Sequence, residues 1–155
     1  MMPQVHEPAP DFTLLDQDGV SHTLSAHKGS RILLYFYPKD DTPGCTKQAC
    51  ALRDTMPELA ALEAIVFGIS PDSVKSHKKF AEKYGLPFTL LADEGHAVAS
   101  RYGVWGRKKF MGREYDGVFR TSFLVDREGE IEAVFENVKP ETHAQEVLAY
   151  LAAHA

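Results

Sequence analysis

The chain has 155 residues, 44% hydrophobic and 25% charged, the mix of a soluble globular protein and enough for one domain over 1–155. Its formal net charge of −5 speaks against a nucleic-acid or membrane partner, and no apolar run approaches a membrane span. Met1 to Phe12 carries neither a basic nor an apolar signal region, so a cytoplasmic location, where thiols stay reduced, is the default expectation.

Strand-like and helix-like segments alternate along the chain. Ile32 to Tyr37 is a continuous apolar run and reads as a buried central strand. A helix follows from Pro43, and Pro57 should break or kink it because it has no N–H for the Arg53 carbonyl. Ile65 to Ser70 reads as a second buried strand. Ser73 to Tyr84 is helix-like and closed by Gly85 and Pro87. Phe88 to Leu91 is a short strand, and Glu94 to Tyr102 a helix ending at Gly103. Gly103 to Phe119 reads as a long loop, with Arg107-Lys108-Lys109 as a solvated basic stretch between Trp105 and Phe110. Thr121 to Asp126 and Glu130 to Phe135 form a hairpin, and Glu141 to Ala152 a closing helix. The pattern predicts an α/β fold with a central mixed sheet flanked by helices, thioredoxin-like in its first strand–turn–helix.

That first turn carries the only two cysteines, Cys45 and Cys50. Thr42 suits the N-cap and Pro43 the first helical position, which puts Cys45 in the first turn. Unpaired amides and the positive end of the helix dipole converge there and favour a thiolate. Residues five apart on a helix differ by about 7.5 Å in rise and about 140° in direction, so their Cα atoms are roughly 8.6 Å apart. A disulfide needs less than about 7 Å, so Cys45 and Cys50 can bond only if the helix between them unwinds. Gly44 and Thr46, both weak helix formers, lower the cost of unwinding.

Cys-x-x-Cys is absent, and a structural zinc site wants about four ligands. His6, His22, His27, His77, His96, His143 and His154 show no local metal-ligand pairing and read as surface residues. Asp40 and Asp41 read as solvated loop acids.

The run Tyr35-Phe36-Tyr37-Pro38-Lys39-Asp40-Asp41-Thr42-Pro43-Gly44-Cys45-Thr46 resembles the active-site loop of peroxiredoxins, with their pattern Pro-x-x-x-Thr-x-x-Cys. Gln48-Ala49-Cys50-Ala51-Leu52-Arg53-Asp54, Gly103-Val104-Trp105-Gly106, Tyr115-Asp116-Gly117 and Arg120-Thr121-Ser122-Phe123-Leu124-Val125-Asp126 are similar to the bacterioferritin-comigratory, or Q-type, subfamily. The resemblance spans about Pro8 to Tyr150 and implies a thiol peroxidase on a thioredoxin fold, with no bound cofactor or metal. It makes Cys45 the peroxidatic cysteine and Cys50 the resolving one. Thr42, Pro38 and Arg120 match the rest of the active site. Gln48 stands where other subfamilies carry glutamate, and its role is open. The expected partners are a peroxide and a thioredoxin- or glutaredoxin-type reductant, and the expected assembly is a monomer or weak dimer. Phe36, Tyr37, Trp105 and Phe110 either line an apolar approach for organic hydroperoxides or serve packing.

Two other classes compete. A copper-binding domain on the same fold typically uses Cys-x-x-x-Cys, one residue shorter than the spacing here. A non-enzymatic holdase requires neither the Thr-x-x-Cys turn nor Arg120.

Overall fold

The computed structural model describes residues 2–155. Among them nine strands and four α-helices follow in order, with a short 3-10 helix over Leu24–His27: β1 Thr13–Asp16, β2 Ser21–Thr23, β3 Arg31–Phe36, α1 Pro43–Ala61, β4 Ala64–Ser70, α2 Val74–Tyr84, β5 Thr89–Ala92, α3 Ala97–Arg101, β6 Trp105–Phe110, β7 Arg113–Val118, β8 Thr121–Val125, β9 Ile131–Phe135 and α4 His143–Ala153. Seven strands form one sheet in the order β2-β1-β5-β4-β3-β8-β9. The centre, β3-β4-β5, is parallel, and the pairs outside it are antiparallel, so the sheet is mixed as expected. No helix is long and apolar enough to cross a membrane among the described residues.

Both faces of β3 are covered, which is why it reads as an unbroken apolar run. Leu33, Tyr35 and Tyr37 face a core shared with α1, α2 and α4, including Leu52, Phe80, Val147 and Leu151. Ile32, Leu34 and Phe36 face the opposite core with Phe67, Tyr102 and Phe123. Phe36 and Tyr37 are therefore core residues.

Three expectations are corrected. Helix α1 runs unbroken to Ala61, past Pro57, which sits exposed on its outer face. Packing of buried Leu52, Thr55 and Leu59 outweighs the one backbone bond that Pro57 cannot make. Gly103 to Phe119 is not a loop: β6 and β7 pair in register from Trp105↔Val118 to Phe110↔Arg113. Met111 and Gly112 both take positive φ at its tip, as a tight hairpin turn demands. Helix α3 is shorter than expected, because the Asp93 carboxylate takes the Val98 and Ala99 N–H groups and caps it late.

Candidate active site

Strand β3 delivers the chain through Tyr37, Pro38 and Lys39 to the start of α1. Thr42 is extended, Pro43 opens the helix, and the Thr46 N–H donates to the Thr42 carbonyl at 2.8 Å. Cys45 thus lies in the first turn, as expected, and is only 1% exposed. The Thr42 hydroxyl does not cap the helix; it donates to the Lys39 carbonyl at 3.0 Å. Pro38 is half-buried, two residues past the end of β3.

Arg120 reaches this turn from the start of β8. Its Nη2 donates to the Cys45 Sγ at 3.1 Å, and its Nη1 to Gln48 Oε1 at 2.8 Å. Gln48 Nε2 lies 3.2 Å from His143 Nδ1, and His143 Nε2 lies 2.7 Å from Ser122 Oγ. A polar line therefore runs from the sulfur through α1 to α4 and back to β8. The approach of Arg120 depends on Gly44: a Cβ there would stand 2.9 Å from Arg120 Nη2 and 3.6 Å from Pro140 Cγ. Burial and the Arg120 charge push the His143 pKa down to about 4.

The other flank of the loop is pinned by Asp40. Its carboxylate accepts from the Tyr37 hydroxyl at 2.5 Å and the Ser76 hydroxyl at 2.8 Å, and meets His77 Nδ1 at 2.7 Å. The Asp40 N–H donates to Asp72 at 2.8 Å. Asp40, Asp72 and His77 place ligand-type atoms within 4.8 Å of one another, the arrangement a cation site would use. Each already has protein partners: the Ser70 hydroxyl serves Asp72 at 2.5 Å, and His77 Nε2 meets the Leu91 carbonyl at 3.0 Å. Asp41, by contrast, is exposed and bonded to Lys83 and Tyr84.

Cys50 lies on the same unbroken helix, partly exposed, and both thiols are free. With α1 intact, their Cα atoms are held about 8.6 Å apart by helix geometry, beyond disulfide reach.

A family model described as AhpC/TSA family matches residues 5–134. The chain belongs to the AhpC/TSA family.

Peroxiredoxin Bcp of Escherichia coli is 52% identical over 147 residues, covering 95% of this chain and 94% of that protein. Peroxiredoxin Bcp of Bacillus subtilis is 45% identical, covering 96% and 94%. Among solved structures, the bacterioferritin comigratory protein of Xanthomonas campestris, from work on its alkyl peroxide reduction, superposes with a TM-score of 0.90 at 36% identity. That match covers 97% of this chain and 99% of the other. The chain is thus an enzyme of the thiol-dependent peroxidase class on a thioredoxin-like fold, and these relatives give the copper-binding alternative no support.

Within this family frame, the structure gathers Cys45, Arg120 and Gln48 at one place and keeps Cys50 apart on the same helix. Two of the seven histidines, His77 and His143, are fully buried, against the expectation of surface positions. Asp40 is also buried, not solvated. His77 and His143 both stand on the buried faces of their helices, with Phe80 and Ala81 in α2 and with Ala144, Val147 and Leu151 in α4, so helical spacing marks them; Asp40 lies in a loop and is buried for its hydrogen bonds. Gly44 carries a spatial requirement that a positive φ would not reveal. Of the aromatic candidates, Phe110 is exposed on the hairpin, and Trp105 is half-buried and stacked on His96 at 3.8 Å.

Proposed function

We propose that this enzyme reduces hydrogen peroxide and organic hydroperoxides with Cys45 as the attacking thiol and Cys50 as the resolving one. The Arg120 guanidinium, donating to the sulfur in the first turn of α1, is the observation that carries the reading. A fixed cation and the amides of the helix start are placed to stabilise the negative charge that develops on the peroxide oxygens.

The Cys45 thiolate attacks one peroxide oxygen and the O–O bond breaks. The sulfur keeps that oxygen as sulfenic acid, and the other oxygen leaves as alkoxide or hydroxide and picks up a proton. Arg120 steadies the departing charge. The Thr42 hydroxyl joins by turning from the Lys39 carbonyl toward the substrate, and the Cys45 N–H adds a donor. Pro38 ends the strand, sets the turn and shields the sulfur from water.

The first turns of α1 then unwind, the Cys50 thiolate attacks the sulfenic sulfur, and water leaves as the S–S bond forms. A thioredoxin- or glutaredoxin-type dithiol reduces that disulfide and is itself oxidised. The setting that suits this cycle is the cytoplasm, with the chain folded as one domain and working as a monomer or weak dimer without nucleic acid, membrane or bound cofactor.

The experiment is peroxide consumption with a thioredoxin system, using hydrogen peroxide and an organic hydroperoxide. Cys45→Ser should lose turnover with its fold intact. Cys50→Ser should keep a single oxidation of Cys45 but lose thioredoxin-supported cycling. Unchanged turnover in Cys45→Ser would overturn the reading.

A further inference from the structure

We infer that His143 is a positioning residue for the peroxidase reaction: it fixes the amide of Gln48, which holds Arg120 against the Cys45 sulfur. The inference rests on the roles proposed above for Cys45 and Arg120.

The direction of each hydrogen bond follows from one fact. Arginine has donors only, so the Gln48 atom 2.8 Å from Arg120 Nη1 must be the amide oxygen. The Gln48 amide nitrogen is then left facing His143 Nδ1 at 3.2 Å, and it donates. That requires a lone pair on Nδ1, so the neutral ring carries its proton on Nε2 and donates it to Ser122 Oγ at 2.7 Å. The lowered His143 pKa keeps the ring neutral at ordinary pH. Gln48, Ser122 and His143 are all 0% exposed, so no solvent substitutes for a missing partner.

Remove the acceptor at 143 and the Gln48 amide nitrogen becomes a buried donor without a partner. Turning the amide over does not help, because its N–H groups would then face the guanidinium, donor against donor. Arg120 would lose one of the two contacts that aim it. His143 opens α4 and lies far from Cys45 in sequence, so this line ties the packing of α4 on α1 to the aim of Arg120.

The test combines kinetics with imidazole ¹⁵N NMR. His143→Leu should slow the oxidation of Cys45 by hydrogen peroxide about tenfold or more, the factor that about 1.4 kcal/mol of lost transition-state stabilisation gives. His143→Asn, whose side-chain oxygen can stand in for Nδ1, should recover most of that loss. In the native protein the ring should be the Nε2–H tautomer. In Gln48→Glu it should switch to Nδ1–H, because a carboxylate there only accepts.

An Nδ1–H tautomer in the native protein overturns the inference, as does equal slowing in His143→Asn and His143→Leu. Wild-type oxidation in His143→Leu overturns it too. Arg120→Lys is the control on the underlying reading: if it oxidises at the native rate, both fall; if it is slow while His143→Leu is not, only the inference falls.

Discussion

The Arg120 guanidinium occupies the space that a side chain on Gly44 would need: a Cβ there would come within 2.9 Å of Nη2. Gly44 is helical, so alanine is welcome to the backbone and unwelcome only to Arg120. Gly44→Ala should therefore keep or slightly raise the thermal midpoint while slowing Cys45 oxidation about tenfold or more. Stopped-flow oxidation and a melting curve on the same sample check this. A variant that melts as the native protein and reacts at the native rate would defeat the argument.

Formation of the Cys45–Cys50 disulfide should unwind the start of α1. Amide exchange of Thr46, Lys47, Gln48 and Ala49 should speed up on oxidation, while that of Leu52 to Leu59 changes much less. The same amides in oxidised Cys50→Ser should stay protected. Equal protection in the reduced and disulfide forms would contradict the distance constraint.

His143 makes a signed prediction about pH. Its folded pKa, about 4, lies below the ordinary value of 6.5, so the unfolded chain takes up a proton that the folded chain refuses. This contribution to stability is present above pH 6.5, falls as the pH drops, and is gone below about 4. It amounts to about 3 kcal/mol at roughly 1.4 kcal/mol per pKa unit. The Arg120 charge helps lower the His143 pKa, and Tyr35, whose ring lies 6.0 Å away, is pushed up by burial and stays neutral over this range. Urea denaturation at pH 7 and pH 4.5 should show a steeper loss in the native protein than in His143→Leu.

Tyr35 and Tyr37 stack at 5.2 Å in one core, yet their hydroxyls fare differently. The Tyr37 hydroxyl donates to Asp40, whereas the Tyr35 hydroxyl is buried without a partner among the described residues. Tyr35→Phe should leave stability unchanged or raise it by up to about 1 kcal/mol, and Tyr37→Phe should lower it by about 1–3 kcal/mol. Denaturant midpoints of the two variants decide, and equal losses would refute the distinction.

Much of this was legible from residue order. The buried run Ile32 to Tyr37 and the Thr42-Pro43-Gly44 entry each carry a local rule, so β3 and the start of α1 fall where expected. Arg120 could be assigned to the site by resemblance, not by physics, since an arginine beside a strand looks like any surface cation. Asp40 escapes a local reading because Asp72, Ser76 and His77 meet it from far along the chain, whereas His77 and His143 stand on the apolar spacing of α2 and α4 and are hidden only by their polar residue type. The β6–β7 hairpin hid for the opposite reason: it is exposed on most of its length, so its strands lack the apolar alternation of a half-buried pair.

On the roles proposed for Cys45 and Cys50, the continuity of α1 through both cysteines would also act as a timer. Until its first turns let go, an oxidised Cys45 waits beside Arg120 with its resolving partner out of reach. A second peroxide arriving in that interval takes the sulfur on to sulfinic acid, which thioredoxin does not reverse. In that cycle the firmness of one and a half turns of helix would set the peroxide dose at which the enzyme begins to be consumed by its own substrate.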